Sequence, residues 1–203
     1  INGKNKKRLS SKTGTSSATF SPNFDFYINT FSNSKTPTIY TLNEAKSGKE
    51  IQVIRENTTL STRLEKYNLP NKEFFELQTD GGQKLNAWMI KPKNFDASKK
   101  YPVLMFQYSG PGSQEVANAW LDTNDMWFMM LSQEGYIVAC VDGRGTGFKG
   151  ANFKKVTYKE LGKFEVEDQI DAAKTIAKYN YVDASRIGIW GWSYGGFMSS
   201  NCI

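Results

Sequence analysis

Three short apolar runs, separated by stretches of helical length and pattern, most constrain what this chain can fold into. PVLMFQY (102–108), YIVACVD (136–142) and RIGIWG (186–191) lack the polar alternation of a half-solvated strand, so each reads as a strand buried on both faces. Between and after them, NDMWFMMLSQEG (124–135) reads as a helix closing at Gly135, FEVEDQIDAAKTIAKY (164–179) as a second, and GFMSSNCI (196–203) as the start of a third. Strands of this kind alternating with helices specify an α/β architecture: a parallel sheet with helices on both faces.

In the 164–179 helix, Val166, Ile170, Ala173 and Ala177 fall at i, i+4, i+7 and i+11 and are expected to face the core. Its acids come first (Glu165, Glu167, Asp168, Asp171) and Lys174 and Lys178 last, which complements the helix dipole. Glu165 and Asp168 are therefore expected to be solvated, not a carboxylate pair for glycoside chemistry.

The N-terminal part has a different texture. Residues 18–54 read as three or four short antiparallel strands: apolar residues at 24, 26 and 28 follow a period of two, Ser21-Pro22-Asn23 marks a turn, and TPTIYTL (36–42) and KEIQVIR (49–55) flank another at 43–48. TTLSTRLEKYN (58–68) is a short helix candidate. EFFELQT (73–79) and KLNAWMIK (84–91) form a hairpin across Asp80-Gly81-Gly82. Asn57-Thr58-Thr59 has the spacing of a glycosylation acceptor, a triplet too common to carry weight.

Charge separates the halves too. Residues 1–100 hold 17 Lys and Arg against 9 Asp and Glu, and residues 101–203 hold 9 against 11. The basic residues are scattered among acids and no nucleic-acid-reading motif accompanies them, so no nucleic acid partner is expected. No apolar run is long enough to span a membrane as a helix, and the first ten residues lack the apolar core of a signal peptide. Two cysteines exclude a disulfide-stapled scaffold; Cys140 is expected as an inert core thiol and Cys202 as unbridged.

The chemistry-bearing motif lies where the strand RIGIWG runs into Gly191-Trp192-Ser193-Tyr194-Gly195-Gly196 and a helix. This is G-x-S-x-G in the strand–turn–helix context that gives it meaning. A turn tight enough to lift a serine hydroxyl clear of a sheet holds that serine in a strained conformation and leaves no room for bulk two residues before or after it. Gly191 and Gly195 meet that demand, and Gly196 is expected to let the helix approach the strand. Ser193 is thus the candidate nucleophile. One oxyanion donor should be the backbone N–H of Tyr194. The other should come from the loop after an early strand, here Tyr108-Ser109-Gly110-Pro111-Gly112; the Tyr108 phenol could supply it, or could be a strand-end surface tyrosine.

A serine hydroxyl needs a base, and the chain contains no histidine. In this motif's usual order the acid and histidine follow the serine, and only ten residues do so here, so the sequence reads as a domain cut shortly after its nucleophile and inactive by itself. The absence of histidine also excludes His-based zinc sites. Gly145-Thr146-Gly147-Phe148-Lys149-Gly150 satisfies G-x-G-x-x-G, but neither a long helix nor a further strand ending in an acid follows, so it is expected to be a loop at the sheet's C-terminal edge and not a dinucleotide site.

GWSYGG (191–196), together with VDGRGTGFKG (141–150), GKFEVEDQIDAAK (162–174) and QYSGPGSQ (107–114), resembles the dipeptidyl peptidase IV family of the prolyl oligopeptidase clan, in the style of a bacterial member. SSATFSPNFDFYINTFSN (16–33) is similar, more weakly, to the end of that family's β-propeller. The resemblance implies residues 1–57 as the end of an N-terminal propeller and residues 58–203 as the first half of a C-terminal α/β-hydrolase domain. It implies release of Xaa-Pro or Xaa-Ala dipeptides from peptide N-termini, with Ser193 as nucleophile, the Tyr108 hydroxyl and Tyr194 N–H as oxyanion donors, Tyr194 also lining the proline pocket, and Gly191, Trp192, Gly195 and Gly196 shaping the bend. It further implies no metal or organic cofactor, a homodimer in the full-length protein and an extracytoplasmic or membrane-associated location. An acyl-peptide hydrolase or esterase on the same fold, or a non-catalytic interaction module, remain the alternatives.

Overall fold

A computed structural model describes residues 6–120 and 124–203. The described residues divide into two compact units, residues 6–69 with 118–120, and residues 70–117 with 124–203.

The first unit is a four-stranded antiparallel meander in the order β1 (Thr15–Phe20), β2 (Phe26–Asn33), β3 (Thr36–Glu44), β4 (Glu50–Arg55), followed by α1 (Thr58–Glu65). The turn at Ser21 closes as its residue types demand: the Ser21 hydroxyl bonds Asn23 Oδ1 at 2.8 Å and also receives the Phe26 N–H at 3.1 Å. Asn118 ties into this unit, accepting the Ser34 N–H on its side chain and the Thr15 hydroxyl on its carbonyl, both at 2.9 Å. Asn57 caps α1 in a left-handed conformation (φ 59°), and its amide nitrogen donates to Thr38 O at 2.6 Å, so the group a glycan would need is engaged internally.

The second unit holds a five-stranded mixed sheet. Its strands are β5 (Lys72–Gln78), β6 (Lys84–Ile90), β7 (Tyr101–Phe106), β8 (Ile137–Asp142) and β9 (Val182–Trp190), in the order β5-β6-β8-β7-β9. Its helices are α2 (Asp125–Gln133), α3 (Ala151–Lys155), α4 (Phe164–Ala177) and α5 (Tyr194–Asn201). The hairpin β5–β6 adds antiparallel to β8, while β8, β7 and β9 run parallel. Local periodicity marks the hairpin but cannot say which strand it joins.

Side-chain alternation shows helices on both faces. Leu85, Ala87, Met89, Val103, Met105, Ala139 and Val141 point to the face covered by α4, where Ala172 and Ile176 are wholly buried. Trp88 and Phe106 point the other way and meet Phe128 of α2 at ring separations of 5.8 and 4.9 Å. An ion pair of 2.7 Å between Lys72 and Asp125, nearly closed to solvent, holds α2 to β5, with the ammonium 4.7 Å from the Trp88 ring.

Two sequence expectations are corrected. RIGIWG is not buried on both faces. In β9 only Val182 is buried, because β9 is hydrogen-bonded to β7 alone and forms an edge of the sheet among the described residues. The buried face of α4 is Glu165, Asp168, Gln169, Ala172 and Ile176, one position away from the Val166–Ile170–Ala173–Ala177 stripe. Glu165 and Asp168, expected in water, are 0% and 1% exposed. Partners remote in sequence, not the local pattern, decide this.

Candidate active site

The parallel register pairs Phe106 with Trp190, so the segments leaving β7 and β9 emerge level at the same edge of the sheet. Tyr108 lies on the first segment and Ser193 on the second.

At Ser193 the backbone has φ 55° and ψ −117°, a combination that L-residues avoid. The serine is exposed and directly precedes α5, whose first N–H groups have no acceptor within the helix. The bend survives because its flanks have no side chains. A Cβ on Gly191 would press on the Gln107 carbonyl and lie 2.7 Å from the Gly195 backbone; one on Gly195 would lie 2.5 Å from the same carbonyl. Gly196 is less constrained than expected: a Cβ there would meet only Gly191 O, at 3.4 Å. Trp192 projects into solvent at 77% exposure.

Gln107 supports the bend from below. Fully buried, it donates from its amide nitrogen to Gly195 O at 2.6 Å and to Ser199 Oγ at 3.0 Å, while its own N–H reaches Trp190 O at 3.0 Å. Nothing in the local sequence marks this role, except that a glutamine ends an otherwise apolar strand run.

The two phenols differ. Tyr194 donates its hydroxyl to Glu165 Oε1 at 2.9 Å; burial first, then the bond to this carboxylate, push its phenol up to about 12. The Tyr108 hydroxyl has no hydrogen-bond partner among the described residues. The two ring centroids are 6.2 Å apart. Tyr108 leans over Gly110, where a Cβ would clash with its ring, and the next residue in the chain, Ser109, is itself left-handed at φ 59°.

The loop after β8 is secured by side chains. Asp142 accepts the N–H groups of Glu115 (3.1 Å) and Val116 (2.9 Å), and burial raises its carboxyl to about 6. Arg144 forks onto Asp168, Nε at 2.9 Å and Nη2 at 2.7 Å from Oδ1, and its backbone N–H reaches Oδ2 at 2.6 Å. In the G-x-G-x-x-G segment, the Gly145 and Gly147 N–H groups bond Phe153 O (3.0 Å) and Ser113 O (2.8 Å), so the amides that would cradle a pyrophosphate are occupied. Burial keeps the Cys140 thiol raised, and neither Cys140 nor Cys202 is bridged.

The profile of the prolyl oligopeptidase family matches residues 106–203, the span that carries both segments of this site. Residues 106–203 are similar to that family. The dipeptidyl peptidase 4 of Trichophyton equinum is 38% identical over 187 residues and that of Arthroderma otae 40% over 190, each match covering 92% of this chain and 24% of the relative. The crystal structure of Porphyromonas gingivalis dipeptidyl peptidase 4 superposes with a TM-score of 0.93 at 47% identity, over 97% of this chain and 28% of that one. The chain thus spans about a quarter of the length of these dipeptidyl peptidase 4 proteins. Among the described residues no helix is long and apolar enough to cross a membrane.

Proposed function

We propose that this chain contributes the nucleophile of a serine-type dipeptidyl aminopeptidase that releases Xaa-Pro or Xaa-Ala dipeptides from peptide N-termini. The observation that carries the reading is the exposed Ser193 held at φ 55°, ψ −117° between two glycines that cannot bear a side chain. In this reading residues 58–203 are the first half of an α/β-hydrolase domain and residues 1–57 the end of a β-propeller. Ser193 Oγ attacks the substrate carbonyl carbon and gives its proton to a base. The carbonyl oxygen becomes an oxyanion held by the Tyr194 N–H and the Tyr108 hydroxyl, the one phenol of the two not already committed. Collapse, with the base returning the proton to the departing nitrogen, expels the shortened peptide as an amine and leaves the dipeptide esterified to Ser193, and water then releases it. The base is a histidine oriented by an acid; this sequence contains no histidine, so the base is supplied from outside these residues.

The family resemblance implies a pocket sized for a five-membered ring, which would admit Pro or Ala at the second position on steric grounds, and it supports a homodimer outside the cytoplasm. The test is turnover by the whole protein of Gly-Pro against acyl-Ala reporters. Preference for Gly-Pro, abolished by Ser193→Ala, is expected. Preference for acyl-Ala would move the assignment to an acyl-peptide hydrolase or esterase, and turnover of neither would favour an interaction module.

A further inference from the structure

Glu165 opens the first turn of α4 and has no exposed surface. A carboxylate so placed is retained only where partners repay its desolvation. Both of its oxygens are engaged: Oε1 accepts the Tyr194 hydroxyl at 2.9 Å and Oε2 the Gly162 N–H at 3.1 Å, from a glycine at φ 85°. The dipole of α4 favours the charge at this end.

The partner it takes is the residue next to Ser193. The Tyr194 ring is anchored at its hydroxyl by Glu165 and on its flank by Phe197, edge-on at 5.7 Å. A ring fixed at its far end and along one side fixes its own backbone. The Ser193–Tyr194 peptide, whose N–H is the oxyanion donor in the reading above, is then aimed from a support 29 residues away in sequence. The same bond spends the Tyr194 phenol and leaves the Tyr108 hydroxyl to face the substrate.

We propose that Glu165 is a positioning residue for the peptidase chemistry: by accepting the Tyr194 hydroxyl it holds the ring, and through it the Tyr194 N–H, in the orientation that an oxyanion at Ser193 needs. The inference rests on the reading of Ser193 as nucleophile.

The test uses the whole protein and three variants, Glu165→Ala, Glu165→Gln and Tyr194→Phe, with kcat, KM and Tm measured for each. Glu165→Ala should lower kcat for a Gly-Pro reporter about 10- to 100-fold while KM moves less than about threefold, the pattern of a misaimed transition-state donor. Glu165→Gln, which keeps an acceptor for the phenol, should restore kcat to within about fivefold of wild type. Tyr194→Phe should cost about as much as Glu165→Ala, and the double variant no more than the worse single one, because both remove the same tie. Wild-type kcat in Glu165→Ala, additive losses, or a kcat loss in Glu165→Gln equal to that in Glu165→Ala would overturn the proposal. Should Glu165→Ala fail to fold, Glu165→Gln and Tyr194→Phe decide: a kcat loss of about 10- to 100-fold with Tm unchanged in Tyr194→Phe, against a loss within about fivefold in Glu165→Gln, supports it, and an unchanged kcat in Tyr194→Phe, or equal losses in the two, overturns it. A wild type that turns over no Gly-Pro reporter but is labelled at Ser193 by a fluorophosphonate overturns the dipeptidase reading alone, and labelling rates across the same variants then test Glu165. A wild type that does neither overturns both.

Discussion

Two glycine-bearing connections leave the parallel strands of the second unit, and they are stabilised in opposite ways. The loop after β8, running through Gly143, Gly145, Gly147 and Gly150, is held by what its side chains and neighbours add: the Arg144 fork on Asp168, the Asp142 carboxylate on two backbone amides, and amide bonds from Gly145 and Gly147. The bend after β9 depends on what is absent from its flanks, with Gln107 and the Glu165–Tyr194 bond bracing it from outside. Gly191 and Gly195 let the Gln107 carbonyl approach so closely that no Cβ would fit, and the strain of that approach is carried by Ser193. Glycine counts would rank the two motifs alike. Only the second combines empty flanks with a strained, exposed hydroxyl, which is why the proposed chemistry is placed there and not on the G-x-G-x-x-G segment.

If the contrast is right, deleting side chains should damage the first connection, and adding them the second. The largest effect is expected from Arg144→Ala. It leaves the 1%-exposed Asp168 with its backbone donor but without its counter-charge, and should cost about 3–5 kcal/mol in urea unfolding of the whole protein.

Next comes a pH effect confined to the first connection. Burial raises the Asp142 carboxyl from 3.8 to about 6 in the folded state, so the folded form holds its proton more tightly than the unfolded one. The stability this brings is fully present below about pH 4 and is lost as pH rises through about 6, to a total of at most about 3 kcal/mol. Asp142→Asn should flatten the stability profile between pH 4 and 6 relative to wild type. An unchanged slope would show that Asp142 is not desolvated as described.

The second connection should respond to added bulk. Gly195→Ala drives a methyl to 2.5 Å from the Gln107 carbonyl and should cost about 1–3 kcal/mol together with most of the activity. Gly150→Ala is the control. No atom lies within 4 Å of a Cβ there, so only the backbone at φ 91°, ψ 171° opposes it, and a loss of about 1–3 kcal/mol with activity retained is expected. Equal losses of activity in the two variants would erase the distinction between the connections.

How far the sequence alone reaches follows from the same contrast. The bend was legible because its determinants are contiguous: an apolar strand, two glycines at fixed offsets from a serine, and a helix. The order of strands along the chain, the turn at Ser21 and the stop of α2 just before Gly135 were legible for the same local reason. The supports of the site were not. Glu165 meets Tyr194, Asp168 meets Arg144 and Gln107 meets Gly195 across 29, 24 and 88 residues. On α4 an apolar stripe and a polar one lie one position apart, and the helical period cannot choose between them. The signal that points to the polar stripe is the cluster of carboxylates in the first turn, which helix-dipole reasoning explains equally well as solvated. Likewise β9 has the composition of an interior strand, and only its pairing with β7 alone exposes it.

The central claim is that the bend presents Ser193 as a nucleophile. Its most direct test is to treat the whole protein with a fluorophosphonate and locate the adduct by peptide mass spectrometry. Stoichiometric phosphonylation on Ser193 with parallel loss of Gly-Pro turnover is expected. Turnover that persists with Ser193 unmodified, or an adduct on a different serine, would contradict it.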